Sequence, residues 1–172
     1  MSLIVEDGTG LSTAESYISV ADATAYFAAY GGADAFSSLD DAEVALRKAS
    51  RDLDMLYGAS YSSTALTKTQ ALLFPRVTFT DTNGRTVTGL PKVVGQAAAE
   101  LALINVTSDS TGAADTSGNL KMSLLRADTL IKHTENFAPT SAAAVARRKV
   151  SLLMAPYLDA GSSGLYARIT RG

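Results

Sequence analysis

The stretch Asp40-Asp41-Ala42-Glu43-Val44-Ala45-Leu46-Arg47-Lys48-Ala49-Ser50-Arg51-Asp52-Leu53-Asp54-Met55-Leu56-Tyr57-Gly58 decides the fold class. Ala42, Leu46, Ala49, Leu53, Leu56 and Tyr57 recur at helical spacing, while Glu43, Arg47, Lys48, Arg51 and Asp52 fall on the other face. Asp40 is placed to cap the first turn, with Glu43 three residues on as in a capping box. Glu43 and Arg47 are spaced for an i,i+4 ion pair, and Gly58 is the stop. A helix with one apolar stripe needs other helices to cover it.

Such partners lie on both sides. Upstream, Ser19 and Asp22 form a second capping signal for a helix running to about Tyr30, where Gly31-Gly32 ends it. Downstream, residues 59–69 are Ser- and Thr-rich without periodicity and read as loop, and Gln70–Arg76 is a short apolar run ended by Pro75. Val77–Thr80 and Arg85–Thr88 alternate around Asn83-Gly84, which predicts a β-hairpin at about 77–88 with positive φ at the turn. Pro91 stands near the first turn of a third helix. Its body, Val94, Ala97, Ala98, Leu101, Ala102 and Ile104, is small enough for close helix packing.

The segment 108–119 holds no aliphatic residue larger than Ala and reads as a flexible linker. In residues 120–137 β-branched and apolar residues mix with charges and periodicity does not decide between strand and helix; an extended segment is the expectation. Ser141 then caps a last helix with Ala146, Val150, Leu153, Met154, Tyr157 and Leu158 on its apolar side and Pro156 kinking or ending it. The expectation is a mainly α protein, a small helical bundle with a β-hairpin insertion and extended N- and C-terminal arms. Residues 1–107 would be the core, 108–119 the linker and 120–172 an extended segment, a helix and a basic tail.

Composition narrows the chemistry. The 172 residues are 47% hydrophobic and 19% charged, with no Cys, no Trp and the single histidine His133. Disulfides, thiol catalysis, Cys/His zinc sites and paired-histidine metal motifs are thereby excluded. Neither a membrane span nor a signal peptide is expected. Gly8-Thr9-Gly10 lacks the third glycine of a dinucleotide loop, there is no Gly-Lys-Ser/Thr, and no Gly-x-Ser-x-Gly accompanies His133. Asp40 with Asp41, and Asp52 with Asp54, do not face each other along a helix, so capping and solvation account for them. Asp81-Thr82-Asn83-Gly84 lacks the later ligands of a calcium loop. No catalytic, cofactor-binding or metal residue is assigned, and an enzyme is not expected.

Charge is uneven. Residues 1–60 carry three basic and ten acidic side chains, and residues 145–172 five basic and one acidic. The basic cluster is Arg147-Arg148-Lys149, with Arg168 and Arg171 in the tail. A single-stranded DNA-binding module would set such cations beside aromatic platforms, but Tyr17, Tyr26, Phe27, Tyr30, Tyr57, Phe74 and Tyr157 mostly hold core-like helical positions.

Four blocks carry a resemblance: Leu3-Ile4-Val5-Glu6-Asp7-Gly8-Thr9-Gly10; Ser16-Tyr17-Ile18-Ser19-Val20 with Ala25-Tyr26-Phe27; Gln70-Ala71-Leu72 with Phe74-Pro75-Arg76; and Leu90-Pro91 before an alanine-rich helix. In order and spacing, over roughly residues 1–107, the chain resembles the head-to-tail connector (adaptor) proteins of tailed bacteriophages, with Phe74 where an indole is common. Similar sequences also carry the label of DnaT-like single-stranded DNA-binding proteins.

The resemblance implies a non-catalytic neck protein of the virion, present in host cytoplasm during assembly. It would form a ring, usually dodecameric, under the portal, meet a stopper or tail-completion protein below, and let genomic double-stranded DNA pass through its lumen. On that expectation Arg147, Arg148, Lys149, Tyr157, Leu165, Tyr166, Arg168, Ile169 and Arg171 face the portal, and Leu3, Ile4, Val5, Phe79, Asn83, Gly84 and Arg85 meet a neighbouring subunit. The alternative is a DnaT-like replication module that binds single-stranded DNA through Arg147, Arg148, Lys149, Arg168 and Arg171, with salt-dependent affinity.

Overall fold

The computed structural model describes residues 2–39, 41–107 and 142–159. It is mainly helical with one small antiparallel hairpin, as the sequence predicts. The elements are α1 (Val20–Tyr30), α2 (Ala33–Ser37), α3 (Ala42–Tyr57), β1 (Arg76–Thr80), β2 (Thr86–Gly89), α4 (Lys92–Thr107) and α5 (Ala142–Met154). Short 3₁₀ turns follow α3 at Gly58–Ser60 and α5 at Ala155–Tyr157. The second contains Pro156 and follows α5, which stops at Met154, so of the two outcomes expected at Pro156 the helix ends and does not kink. Asp40, the linker 108–119, the stretch 120–137, Ser141 and the tail from Gly161 lie outside the described residues.

α4 is the central helix, packed against α3 on one side and α5 on another, with α1 also in contact. Ala97, Ala98, Ala99 and Ala102 are fully buried, so neighbours approach as the small residues predict. The core around it includes Phe27, Leu46, Leu53, Phe74, Val94, Leu101, Val150 and Met154. Burying a large apolar side chain contributes about 1.5–3 kcal/mol each, and this continuous cluster is the main source of stability.

The helix starts are largely as read. Ser19 accepts from the Asp22 amide at 3.0 Å and its hydroxyl donates to the Asp22 carboxylate at 2.6 Å. Gly31 closes α1 at φ 94°. On α3 the cap is Asp41, not Asp40: its carboxylate accepts from the Val44 amide at 2.9 Å. Arg47 does reach Glu43 at 3.3 Å and also binds Glu15 at 2.9 Å. α2 is not read in the sequence. Gly32, at φ 101°, turns the chain so that Phe36 meets Phe27 with ring centroids 5.0 Å apart.

The N-terminal segment is folded onto its own chain. Val5 bridges Ser16 in parallel, and the Glu6 amide donates to the Ser16 carbonyl at 2.8 Å. The buried Glu6 carboxylate then accepts from the amides of Gly8, Gly10 and Leu11 at 2.8–2.9 Å. The Gly8-Thr9-Gly10 turn is thus wound around one carboxylate.

Residues 59–76 hold no regular element apart from their ends, yet they are fixed by buried polar groups. Asp54 accepts from the Tyr17 phenol at 2.6 Å, from the Tyr61 phenol at 3.3 Å and from the Leu73 amide at 2.9 Å. Tyr17 in turn accepts from the Phe74 amide at 3.0 Å. Burial pushes the Asp54 carboxyl up despite these donors, and burial, then Asp54, pushes both phenols up. The buried Arg76 guanidinium donates to the carbonyls of Tyr61, Ser62, Ser63 and Leu73 and lies over the Tyr61 ring at 5.6 Å. Solvation therefore does not account for Asp52 and Asp54: Asp52 is buried and Asp54 half-buried, while Leu56, expected in the core, is exposed. The side of α3 that carries Asp54 receives the donors of the irregular segment.

The hairpin pairs Phe79 with Val87 and Thr80 with Thr86, with a bulge before Phe79. Its turn differs from the one predicted, because only Gly84 of the pair has positive φ, at 78°. The Asp81 carboxylate accepts from the amides of Asn83 at 2.9 Å and Arg85 at 2.8 Å, and the Gly84 amide donates to the Asp81 carbonyl at 2.9 Å. A type I turn with a left-handed glycine after it results. Arg85 also binds the second Asp81 oxygen at 2.8 Å.

Two predictions follow from these contacts. Arg76→Ala leaves four carbonyls without their donor and lowers stability by roughly 3 kcal/mol in urea unfolding; Arg76→Lys does not restore it, because a point ammonium cannot span the acceptors. The amide donors, then the Arg85 guanidinium, hold the Asp81 carboxyl below the usual aspartate range. The turn is therefore intact above the ordinary aspartate value and loosens as pH falls through the depressed one. Amide shifts of Asn83 and Arg85, followed by NMR from pH 6 to pH 2, will move with a midpoint below that of an unhindered aspartate.

Candidate nucleic-acid interface

α5 brings its cations to the surface by burying Val150 and Met154 against the core. Arg148 and Lys149 are exposed and Arg147 is half-buried. Lys149 does not stand in open solvent. Its ammonium pairs with the Glu100 carboxylate on α4 and lies 5.8 Å from the centroid of the Tyr26 ring on α1. The Tyr26 phenol donates to the same Glu100 oxygen at 2.7 Å. Burial, then the Glu100 carboxylate, raises the Tyr26 phenol well above its usual range, so it stays a donor.

Tyr26 continues into Tyr30 one turn along α1, with ring centroids 5.1 Å apart and an interplanar angle of 36°. Tyr30 is 71% exposed. A row of cation, held ring and open ring therefore crosses from α5 to α1, and Glu100 fixes two of its three members. Flat rings beside an ammonium are what a single strand needs, since bases stack on π faces and phosphates seek cations.

The sequence reading missed this arrangement by assigning Tyr26 and Tyr30 to the core with the other aromatics. Tyr17, Phe27, Phe74 and Tyr157 are indeed buried. The available signal was the position of Tyr30 against Gly31, at a helix end where little remains to cover it. Tyr157, named both on the apolar side of the last helix and among the portal-facing residues, is buried and lines a hollow with Asp81, Arg85 and Pro91. Leu165, Tyr166, Arg168, Ile169 and Arg171 lie outside the described residues.

Of the residues expected at a subunit contact, Leu3 and Phe79 pack against the core and Val5 is half-buried. Ile4, Asn83, Gly84 and Arg85 are exposed. Among the described residues no group of three or more His, Cys, Asp or Glu side chains could hold a metal ion.

A cavity of about 350 Å³ adjoins the row. Tyr26 forms part of its wall, together with residues of the N-terminal segment and the first turns of α4.

Compared with known protein families, residues 1–172 match the family described as "Putative DnaT-like ssDNA binding protein". The chain belongs to that family. No curated protein and no solved structure matches it.

This membership overturns the connector reading, with its virion role, its ring and its portal, stopper and lumen-DNA partners: the match spans the whole chain, and it is to a different family. The physical reason lies in the residues that carried the resemblance. Glu6 winds the first turn, Tyr17 and Arg76 pin the 59–76 segment, and Gln70 bonds Thr67, Leu72 and Pro75 within it. These contacts hold the chain's own scaffold, and one scaffold can support more than one function.

Glu100→Ala removes the acceptor shared by Tyr26 and Lys149. The exposed ammonium regains water, while the phenol loses its buried acceptor on α4. Stability is expected to fall by about 1–2 kcal/mol in urea unfolding, with Tyr30 unaffected in its exposure.

Proposed function

We propose that the chain is a single-stranded DNA-binding module without a catalytic step. The observation that carries this reading is the family match over residues 1–172. The geometry supports it by offering the exposed Tyr30 ring, packed on Tyr26, as a stacking surface, Lys149 as the cation beside Tyr26, and the exposed Arg148 next to it in sequence. Arg147, Arg168 and Arg171 add positive charge to the same half of the sequence.

In this reading a strand lays one base on the open face of Tyr30 and its phosphates along α5. Stacking contributes about 1–3 kcal/mol per base and tolerates any sequence. The preference for single strands follows from the platform, because bases paired within a duplex do not present their faces.

Fluorescence anisotropy with labelled (dT)15 and with a duplex of the same length tests it. Binding should favour the single strand and weaken with salt. Tyr30→Ala should reduce affinity at least fivefold, in line with the loss of about 1 kcal/mol or more of stacking. Arg148→Ala should reduce the slope of log affinity against log salt by about 0.7, the value for one phosphate contact on a single strand. Absence of (dT)15 binding at about 50 mM salt, where electrostatic affinity is strong, overturns the reading.

A further inference from the structure

We propose that the cavity beside Tyr26 is a base-insertion pocket, which takes one unstacked nucleobase of the bound strand next to the base lying on Tyr30. This rests on the single-strand reading above. The cavity, about 350 Å³, is at the small end of the roughly 300–1,000 Å³ typical of small-molecule sites. It is too small for a helix or a strand of another protein and suits a flat heterocycle.

Its walls sort the parts of a nucleotide. Val5, Ile18, Leu90 and Pro91 are apolar, and Tyr26 adds an aromatic wall. The two carboxylates in the lining are already engaged: Glu6 holds the amides of Gly8, Gly10 and Leu11, and Asp22 holds the Ser19 hydroxyl. Their negative charge keeps phosphate out of the interior but does not repel a neutral base. Lys92, exposed in the first turn of α4, is the cation placed for the phosphate that remains outside. Gln96 offers an amide donor and acceptor to a base edge.

The pocket also has a fixed floor. A Cβ on Gly95 would stand 3.0 Å from the Tyr17 carbonyl oxygen and 3.2 Å from the Ile18 Cβ, so α4 rests directly on that turn. The turn is held from behind by the Tyr17 phenol on Asp54. Continuity with the surface comes through Tyr26, which lines the cavity and also forms the 5.1 Å pair with Tyr30. In this proposal the nucleotide next to the one on Tyr30 enters the cavity past Tyr26.

The test combines two measurements on the full-length protein. In ¹⁵N NMR, titration with dTMP should shift the Gly95 and Gln96 amides. In anisotropy with (dT)15, Gln96→Phe, which places a ring in the cavity, should reduce affinity about five- to tenfold, the scale of one lost stacking contact. Lys92→Gln, an exposed change that leaves the fold alone, should reduce it by a smaller factor and lower the salt slope. Wild-type binding of (dT)15 with unshifted amides and with both variants equal to wild type overturns the pocket and leaves the single-strand reading standing. Failure of the wild type to bind (dT)15 overturns both.

Discussion

The hydrogen bond from the Tyr17 phenol to Asp54, 2.6 Å long and inside the protein, is the contact on which the rest of the arrangement depends. It joins the turn before α1 to the side of α3, and through the Phe74 amide on the same phenol it joins both to the irregular segment. Asp54 is a desolvated carboxylate, and three donors aimed at it offset that penalty. Arg76 completes the set by satisfying the carbonyls that such a segment would otherwise bury without partners. With residues 59–76 held by side chains instead of a backbone ladder, β1 begins at a fixed place. The 3₁₀ turn after α5 is then stitched to the same segment, through the Ser62 amide on Tyr157 and the Asp159 amide on Ser60.

What could be read in the sequence divides along the same line. Local signals were legible: the Ser19 cap, the Gly31 stop, the helical stripe of Leu46, Ala49 and Leu53, the hairpin, and the break at Pro156. Each is decided by a few neighbouring residues. Asp54 was not legible, because its role is set by Tyr17, Tyr61 and Leu73, which lie 37, 7 and 19 positions away. The turn at Asn83-Gly84 falls between these cases. The dipeptide announced a hairpin, but the Asp81 carboxylate two residues upstream chose its type by capturing two amides.

The surface row was hidden for a related reason. Helical spacing assigns Tyr26 and Tyr30 to one stripe, but it does not show that Glu100 on α4 takes up both the Tyr26 phenol and the Lys149 ammonium from α5. Glu100 itself is 74 residues from Tyr26 and 49 from Lys149. The connector resemblance failed in the same way. Its motif residues are those that fix the scaffold, and one scaffold can support more than one function.

Net charge misleads for the same reason that motifs do. The first sixty residues are strongly acidic, which argues against a polyanionic ligand if charge is counted along the chain. In the structure many of those acids are engaged: Glu6 in a loop of amides, Glu15 and Glu43 on Arg47, Asp22 and Asp41 in caps, Asp54 under phenols. Caps and pairs of this kind leave less field outside than their number suggests, since each carboxylate faces donors at contact distance. In the proposed reading the potential that a strand would meet is set locally, by Lys149 beside Tyr26 and the exposed Arg148 next to it in sequence. There Glu100 is itself buried between a phenol and an ammonium, where it orders the platform more than it opposes the ligand.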